Sequence, residues 1–438
     1  MKFLEQIELR SKNIVAISNN LSITYADLYD YSSKFAERLF PDETVFLYCH
    51  NNIKTLIAYI GILKANSVPI LLNSTLTNEK RKELEVIYKP KFIYDNGLTK
   101  TTRKKQILLH NDLCMLLSTS GSMGSSKFVR LTGKNVNSNA LAIAQYLNIK
   151  ETDLAITTMP MNYAYGLSII NSHLAAGACI IFNQFPVVRQ QFWNLIDKHK
   201  VTTFGGVPYM YNILKRLKFH EMDLPSLEYI TQAGGHLSDD LSDYLHGYGL
   251  KKSVKVYKMY GQTEATARIS YLPWEMCGLN SIGKAIPGGK IWLEDGELVY
   301  QGDNVCMGYA NSYLDLQKGD ENKGILHTGD LAEQRKIYDT SEAYYYIVGR
   351  KKRFLKLFGN RINLDELEEV INKKYGECAC TGNDSCLKVY TTNPYVLYDI
   401  RDYVNMDLKI HHSSFSIEVV KEIPYSNGKI MYSELGKE

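Results

Sequence analysis

The sequence predicts an α/β protein, with a large N-terminal domain of doubly wound sheets and a β-rich subdomain, followed by a small α+β domain. Three observations lead to this prediction. Between residues 150 and 265, short apolar runs alternate with longer amphipathic runs, as in parallel strands joined by helical crossovers. From residue 290 the apolar period becomes two, as in antiparallel strands. A basic run ends at Arg353, and a compact mixed segment follows it.

The elements of the large domain follow in order. We expect helices at 25–39 and 54–65, and strands at 44–48 and 68–72. The alternation is clearer further on, with strands expected at 154–158, 178–182, 201–205, 227–232 and 254–259, and helices at 167–175, 189–199, 210–217 and 239–248. Ligands of open α/β sheets bind beyond the carboxyl ends of the strands. The segments 160–166, 206–209, 233–235 and 260–264 should therefore face one crevice.

The β-rich part and the last helix set the expected domain boundary. Strands are expected at 290–294, 296–301 and 344–348, separated by Gly and Asp turns. A helix is expected over 365–375. We place the boundary at Arg353, so that residues 1–353 form the large domain and 354–438 the small one.

Composition excludes several classes of protein. The 438 residues are 45% hydrophobic and 22% charged, with a formal net charge of +4, which is ordinary for a globular protein and gives no basis for nucleic-acid binding. No apolar run reaches membrane-spanning length, and the N-terminus lacks the apolar core of a secretory signal. Eight cysteines fit reduced thiols better than a disulfide framework. We therefore expect a cytoplasmic protein with no membrane span.

A loop of small residues lies between two apolar runs. Residues 119–127 contain one bulky apolar side chain, Met123, and the flanking runs are 113–117 and 128–131. Glycines and hydroxyl residues leave backbone N–H groups open, and such concavities bind phosphate. Flexible linkers share this composition, and the spacing is not that of a Walker A loop. The tight apolar flanks favour a turn within one domain.

Further motifs follow this loop along the chain. They are Ala233-Gly234-Gly235, Tyr260-Gly261-Gln262-Thr263-Glu264, Thr328-Gly329-Asp330, Gly349-Arg350 and Gly428-Lys429. Glycine lets the backbone approach a flat ring closely, and a carboxylate such as Glu264 suits Mg²⁺. A lysine is a compact point charge that can reduce the repulsion between two anions. Each motif alone could equally be an ordinary turn.

In this order, the motifs resemble the AMP-forming adenylating superfamily of acyl-CoA synthetases, carrier-protein adenylation domains and luciferases. The loop resembles the family pattern Thr-Ser-Gly-Thr-Thr-Gly-x-Pro-Lys-Gly, which is matched at Thr119, Ser120, Gly121, Ser122, Gly124 and Lys127. Met123, Ser126 and Phe128 depart from it. The resemblance covers nearly the whole chain. It implies activation of a carboxylic acid with ATP and Mg²⁺, with a small C-terminal domain that acts as a mobile lid.

The resemblance also implies roles for single residues. The nucleotide would be bound by the loop residues above and by Ala233, Gly234, Gly235, Tyr260, Gly261, Gln262, Asp330 and Arg350. Thr263 would contact the α-phosphate and Glu264 would hold Mg²⁺. Lys429 would be brought by the lid to the carboxylate and the α-phosphate. Arg353 would lie at the hinge, and Gly359 would line the path of the pantetheine thiol.

The acid and its acceptor are less closely defined. Tyr163 occupies a position where coenzyme A ligases of this family often have histidine, and Tyr163, Gly166 and Tyr209 are expected to shape the acyl pocket. Ala164 lies where amino-acid-activating relatives usually have an aspartate, which favours a plain carboxylic acid. The acceptor would be the thiol of coenzyme A or the phosphopantetheine of a separate acyl carrier protein.

Three hypotheses about function remain open. The first is an acid:thiol ligase, and the second is an amino-acid ligase that loads a carrier protein. The third is a nucleotide-binding homologue that has lost activity, which Met123 and Ser126 suggest.

Overall fold

The computed structural model describes residues 1–18, 21–118, 127–336, 343–351, 353–357, 360–383, 386–408, 410–426 and 429–436. It divides into two compact units. The first comprises Met1–Ile291 with Tyr300–Leu326, and the second comprises Trp292–Val299 with His327–Glu438. The second unit thus takes in residues that precede Arg353, so a boundary at Arg353 and a lid of residues 354–438 stay predictions.

The largest sheet in the described part of the chain has nine strands. Their spatial order is Lys284–Ala285, Ser270–Leu272, Lys255–Tyr260, Tyr229–Gln232, Thr203–Gly206, Leu154–Ile156, Cys179–Phe182, Ile14–Ser18 and Leu21–Thr24. The strands from Lys255–Tyr260 to Ile14–Ser18 in this order are parallel. Parallel strands are buried on both faces, which explains their continuous apolar runs.

A second sheet of the first unit has seven strands in the described residues. Their order is Gly308–Ala310, Phe128–Thr132, Leu113–Ser118, Val68–Asn73, Thr44–Cys49, Phe92–Tyr94 and Leu98–Lys100. The strands that flank the small-residue loop, Leu113–Ser118 and Phe128–Thr132, pair antiparallel. This pairing confirms that residues 119–127 connect two core strands of one domain rather than two domains.

Helices connect the strands of the first unit. They are Lys2–Glu8, Tyr25–Ala36, Ile53–Lys64, Asn78–Tyr88, Gly133–Leu147, Ala164–Ala175, Gln190–His199, Pro208–Arg216 and Asp239–Lys252. The start of Gly133–Leu147 is encoded locally. Asn135 N–H donates to Thr132 Oγ1 at 2.9 Å, and Thr132 N–H donates to Asn135 Oδ1 at 2.8 Å. This capping box satisfies two backbone donors at the start of Gly133–Leu147.

The β-rich region and the C-terminal region follow. The strands Lys290–Glu294, Glu297–Gln301, Ile325–Lys336 and Ala343–Arg350 form one sheet in that order. The described C-terminal region has a three-stranded sheet, formed by Cys378–Asn383, Cys386–Thr391 and Phe415–Val419. Two strand pairs lie beside it in sequence, Phe354–Leu357 with Asn360–Asn363 and Tyr425–Ser426 with Lys429–Ile430. Its α-helices are Leu364–Tyr375 and Leu397–Asp402. Among the residues that the structure describes, no helix has the length and apolar character of a membrane span.

The predicted mixed α/β fold is confirmed, and most predicted elements lie within a few residues of their observed bounds. One long strand, Ile325–Lys336, was not predicted. Many of its residues are polar or exposed, so it shows little apolar periodicity. It is held by antiparallel pairing with Ala343–Arg350, which the local sequence does not reveal.

Arg353 belongs to a buried ion-pair cluster of the second unit. Its guanidinium lies 2.7 Å from Glu368 Oε1 and 2.5 Å from Asp365 Oδ1, and 3.8 Å from the centre of the Tyr432 ring. Tyr432 Oη donates to Glu368 Oε2 at 2.8 Å. Burial raises the pKa of Glu368, although the Arg353 guanidinium opposes this shift. The cluster ties the start of the C-terminal region to its last turn.

We expect Arg353→Met to destabilise the protein by about 3 kcal/mol, because it leaves the buried Glu368 carboxylate without its cation. Arg335→Met is the matched control. It removes a pair with Glu333 in which both side chains are more than half exposed, and such pairs contribute about 0–1 kcal/mol. Urea unfolding of the whole chain measures both. Equal unfolding midpoints for the two variants would contradict a stabilising role of the cluster.

Candidate nucleotide and acyl-binding site

The loops after the parallel strands meet at one edge of the nine-stranded sheet. Gly234, after Tyr229–Gln232, has a φ of +86°. A Cβ on Gly234 would lie 2.7 Å from Tyr163 Oη and 3.1 Å from Val207 Cγ1. These neighbours come from the loops after two other strands, so glycine is required here for both conformation and space. The segments 160–166, 206–209 and 233–235 therefore contact one another at this edge, while a crevice that also includes 260–264 stays a prediction.

The buried residues of this crevice form an aromatic cluster. Tyr163, Tyr165, Ala233, Met159 and Met259 pack together. Tyr165 Oη donates to the Thr231 carbonyl at 2.9 Å, which fixes its ring against the end of a neighbouring strand. Burial raises the pKa of Tyr163 and raises that of Tyr165 to about 12, so both rings are neutral at physiological pH.

The predicted acyl-pocket residues differ in their surroundings. Tyr163 is buried in the aromatic cluster. Gly166 is packed against the backbone, since a Cβ there would lie 2.2 Å from the Pro160 carbonyl oxygen. Tyr209 has a side chain that is 63% exposed. Burial thus favours Tyr163 as a wall of an enclosed pocket and offers no such support for Tyr209.

The Tyr260–Glu264 segment makes a sharp turn after its strand. A Cβ on Gly261 would lie 1.9 Å from the Ala267 carbonyl oxygen, so only glycine permits this crossing of the backbone. Gln262 Nε2 donates to Tyr260 Oη at 3.3 Å. Thr263 is buried, within the short 3₁₀ segment Thr263–Ala265. The turn therefore holds Glu264 at a fixed place after the strand.

Tyr309 links two of the predicted site residues. Its Oη donates to Glu264 Oε1 at 2.8 Å, and the Lys127 ammonium lies 3.4 Å from the centre of its ring. Burial and the Glu264 carboxylate raise the pKa of Tyr309, so its hydroxyl stays protonated and donates. The structure thus brings Lys127 and Glu264 to opposite parts of one side chain, which the sequence analysis did not identify.

Arg130 holds the strand that carries Tyr309. Its fully buried guanidinium donates to the carbonyls of Tyr309 and Met307 at 3.1 Å each and pairs with Glu321 at 2.6 Å. Backbone groups held by a buried charged donor are strongly fixed. Arg130 is therefore a positioning residue for Tyr309. An arginine within an apolar strand was the available signal in the sequence.

The predicted phosphate-binding positions Thr119, Ser120, Gly121, Ser122 and Gly124 lie outside the described residues. Their flanking strands and Lys127 are described. Glu264 is the predicted Mg²⁺ ligand, and the described residues contain no cluster of three or more His, Cys, Asp or Glu that could hold a metal ion. A single carboxylate fits Mg²⁺, because this ion is commonly bound by one or two carboxylates together with substrate phosphates.

The second unit carries the predicted ribose residues. Asp330 and Arg350 lie opposite each other on paired strands, with Nε and Oδ1 3.2 Å apart. Gly329 has a φ of +75°, and its N–H donates to Glu297 Oε1 at 2.9 Å. Burial by itself would raise the pKa of Glu297, but the Lys351 ammonium at 2.7 Å and the Gly329 N–H outweigh it and lower that pKa. Asp330 is thus a buried carboxylate on a strand whose preceding residue is held by Glu297.

The remaining predicted residues also lie in the second unit. Lys429 is half-buried and begins the strand Lys429–Ile430, where it pairs with Ser426. Arg353 is in the ion-pair cluster described above. Gly359 lies outside the described residues. The roles of all these residues in catalysis stay predictions.

This fold and these motifs define an adenylate-forming enzyme, and comparison with known proteins agrees. A family model described as AMP-binding enzyme matches residues 81–310, which is more than half of the chain. The chain belongs to this family. The predicted superfamily is therefore confirmed, as is the predicted activity of an ATP-dependent, AMP-forming ligase.

Individual relatives are distant. The chain is 23% identical over 423 residues to the oxalate–CoA ligase of Arabidopsis thaliana, covering 82% of this chain and 80% of that protein. It is 25% identical over 435 residues to a malformin synthetase of Aspergillus homomorphus, covering 85% of this chain but 8% of that longer protein. The O-succinylbenzoate coenzyme A synthetase of Bacillus subtilis has been solved with AMP and also with ATP and a magnesium ion. Its AMP complex superimposes on this chain with a TM-score of 0.79 at 20% sequence identity. The superposition covers 100% of this chain and 98% of that chain.

Proposed function

We propose that this protein uses ATP and Mg²⁺ to convert a carboxylic acid to an acyl-adenylate, and then transfers the acyl group to the thiol of coenzyme A. The observation that carries the proposal is the joint placement of Lys127 and Glu264 around Tyr309, beside the strand ends that form the crevice. One cation and one carboxylate held by the same half-buried tyrosine suit the binding of a metal–triphosphate complex.

The reaction brings two anions together and releases a third, so positioning and electrostatics supply most of the catalysis. Lys127 places positive charge beside the small-residue loop. Glu264 would hold Mg²⁺, which supplies charge neutralisation at the phosphates when bound. Buried Thr263 presents a hydroxyl on the same turn. The roles of Ala233, Gly234 and Gly235 at the adenine are supported by the close approach of that backbone to Tyr163.

Asp330 is proposed to accept hydrogen bonds from the ribose hydroxyls, with Arg350 as its companion. We expect Asp330→Ala to raise the KM for ATP by about 10- to 100-fold, since hydrogen bonds to a charged group contribute about 1.5–3 kcal/mol. Steady-state kinetics with varied ATP measures this. Asp303→Ala, which removes an exposed pair with Lys134, is the control. An unchanged KM for ATP in Asp330→Ala would refute the ribose role.

A plain carboxylic acid is favoured over an amino acid. The cluster around Tyr163 consists of apolar and aromatic side chains, and Ala164 offers no carboxylate to pair with an α-amine. An ammonium group buried there without a partner would be strongly disfavoured. The names of the oxalate–CoA ligase and the O-succinylbenzoate coenzyme A synthetase support coenzyme A as acceptor.

The proposal is tested by incubating the full chain with ATP, Mg²⁺, coenzyme A and a panel of acids. AMP, pyrophosphate and an acyl-CoA thioester in equal amounts are the expected products, measured by mass spectrometry. Release of ADP, or acylation of a pantetheinylated carrier protein without any acylation of coenzyme A, would overturn the proposed reaction or its acceptor. ATP binding without turnover of any acid would favour the inactive homologue.

A further inference from the structure

The proposed metal ligand and α-phosphate contact lie on a closed loop between two paired strands. Residues 261–269 join Lys255–Tyr260 to Ser270–Leu272, and these two strands pair antiparallel. The Ile269 N–H donates to the Tyr260 carbonyl at 2.9 Å, which closes the base of the loop. Because both ends of the loop are fixed, a change of backbone conformation within it must displace the residues that the loop carries.

Thr266 has a rare backbone conformation within this loop. Its φ is +63° and its ψ is −36°, and the Ala267 N–H donates to the Ala265 carbonyl at 2.6 Å. These values describe a γ-turn with positive φ at its centre, the rarer and more strained of the two forms of γ-turn. Positive φ is unusual for a residue branched at Cβ. Such strain persists only where surrounding contacts enforce it, and it is concentrated at functional sites.

Asn304 supplies contacts that enforce this turn. Its Nδ2 donates to the Ala265 carbonyl at 2.8 Å and to the Arg268 carbonyl at 2.7 Å, so one amide bridges the chain before and after Thr266. The Thr266 hydroxyl donates to the Asn304 carbonyl at 2.7 Å. Asn304 and Thr266 are both buried, so these bonds are shielded from water.

Tyr300 fixes the orientation of the Asn304 amide. Its Oη donates to Asn304 Oδ1 at 2.7 Å, and its side chain is fully buried. Burial raises the pKa of Tyr300, so its hydroxyl keeps its proton and donates. The oxygen and the nitrogen of the Asn304 amide are thus both engaged, which is the support that a strained turn requires.

The turn is hydrogen-bonded directly to the residues proposed to meet ATP and Mg²⁺. The Thr266 N–H donates to the Thr263 carbonyl at 2.9 Å, and the Cys306 N–H donates to the Glu264 carbonyl at 2.8 Å. Cys306 lies two residues after Asn304, so one short segment holds both the turn and Glu264. A relaxed turn would move Thr263 and Glu264, and a displacement of about 1 Å can lower an enzymatic rate by about 100-fold.

We propose that Asn304 and Thr266 are positioning residues for acyl-adenylate formation. They hold the loop in its strained turn, so that Thr263 and Glu264 meet the α-phosphate and Mg²⁺ in reactive geometry. This inference rests on the proposed function. In this role both residues act through the backbone of the loop, and neither contacts ATP. A loop that is fixed before ATP binds does not have to be ordered during the reaction.

Two substitutions of Thr266 test the turn itself. Thr266→Val removes the hydroxyl but keeps the branched Cβ, so the positive φ loses its support. Thr266→Gly also removes the hydroxyl, but glycine adopts a positive φ without strain. We expect Thr266→Val to lower kcat and to raise the Mg²⁺ concentration for half-maximal rate, each by about 10- to 100-fold. Thr266→Gly should stay within about threefold of the wild-type protein in both quantities.

Asn304→Ala removes both bonds that bridge the turn, and we expect it to match Thr266→Val in both quantities. In the Thr266→Gly background its effect should shrink to about threefold, because the turn no longer has to be enforced. Asn194→Ala, at an exposed position, is the control and should have no effect. The measurement is ATP–pyrophosphate exchange over a series of Mg²⁺ concentrations. It uses the acid that the wild-type protein exchanges fastest among fatty, aromatic, hydroxy and dicarboxylic acids, and melting temperatures are recorded for every variant.

The outcomes separate this inference from the proposed function. Equal losses of kcat in Thr266→Val and Thr266→Gly would overturn the role of the turn, since the hydroxyl rather than the backbone conformation would then matter. Wild-type kcat and Mg²⁺ dependence in Thr266→Val and Asn304→Ala, even at lowered melting temperatures, would show that both residues serve only the fold. In either case exchange by the wild-type protein leaves the proposed function intact. ATP binding by the wild-type protein without exchange of any acid contradicts the proposed function and, with it, the role of the turn.

Discussion

Replacement of Lys429 by alanine is expected to lower the rate of acyl-adenylate formation by about 10²- to 10³-fold, the usual effect of removing one group that stabilises transition-state charge. The acid carboxylate and the α-phosphate are both anions, and a lysine between them reduces their repulsion. Lys429 begins a short strand held by pairing with Tyr425–Ser426, so its backbone is fixed. ATP binding and the melting temperature should change little, because ground-state binding does not depend on this charge.

Lys421→Ala is the control for this prediction, since Lys421 is an exposed lysine of the same region. ATP–pyrophosphate exchange at saturating acid measures both variants, and Lys429→Arg tests whether a larger cation suffices. If Lys429→Ala retained wild-type exchange, or if Lys421→Ala lost as much, the proposed role of Lys429 would be wrong.

Glu264→Gln is expected to reduce adenylation by about 100-fold and to raise the Mg²⁺ concentration needed for half-maximal rate. The substitution keeps the shape of the side chain and its hydrogen bond from Tyr309 but removes the negative charge that Mg²⁺ requires. Tyr309→Phe keeps the ring beneath Lys127 and removes only the bond to Glu264 of 2.8 Å. We expect a smaller loss there, about 10-fold.

Exchange rates over a series of Mg²⁺ concentrations distinguish these effects. Glu275→Gln alters an exposed carboxylate on the 3₁₀ segment Trp274–Met276 and should leave the Mg²⁺ dependence unchanged. A uniform loss in Glu264→Gln, with no shift in Mg²⁺ dependence, would argue against metal binding by this carboxylate.

The parallel part of the fold could be predicted because its information is local. Strands such as Cys179–Phe182 are buried on both faces and form apolar runs in the sequence. Helices such as Asp239–Lys252 begin at residues that cap them, here Ser238. Ile325–Lys336 was missed because its pairing partner, rather than its own composition, makes it a strand. Local patterns do not encode such pairing.

The site could be predicted only where residues act through a motif. Gly261 and Glu264 lie in one short segment, so their proximity is visible in the sequence. Tyr309 is 45 residues from Glu264, and only the antiparallel pairing of Gly308–Ala310 with Phe128–Thr132 brings it to Lys127. Arg130 was overlooked for a different reason, since a charged residue is normally expected at the surface.

The most direct test of the central claim is ATP–pyrophosphate exchange by the full chain, with no thiol present, across fatty, aromatic, hydroxy, amino and dicarboxylic acids. Exchange that requires Mg²⁺ and one class of acid is the predicted result. Binding of ATP with no exchange for any class of acid would contradict the claim that this protein forms acyl-adenylates.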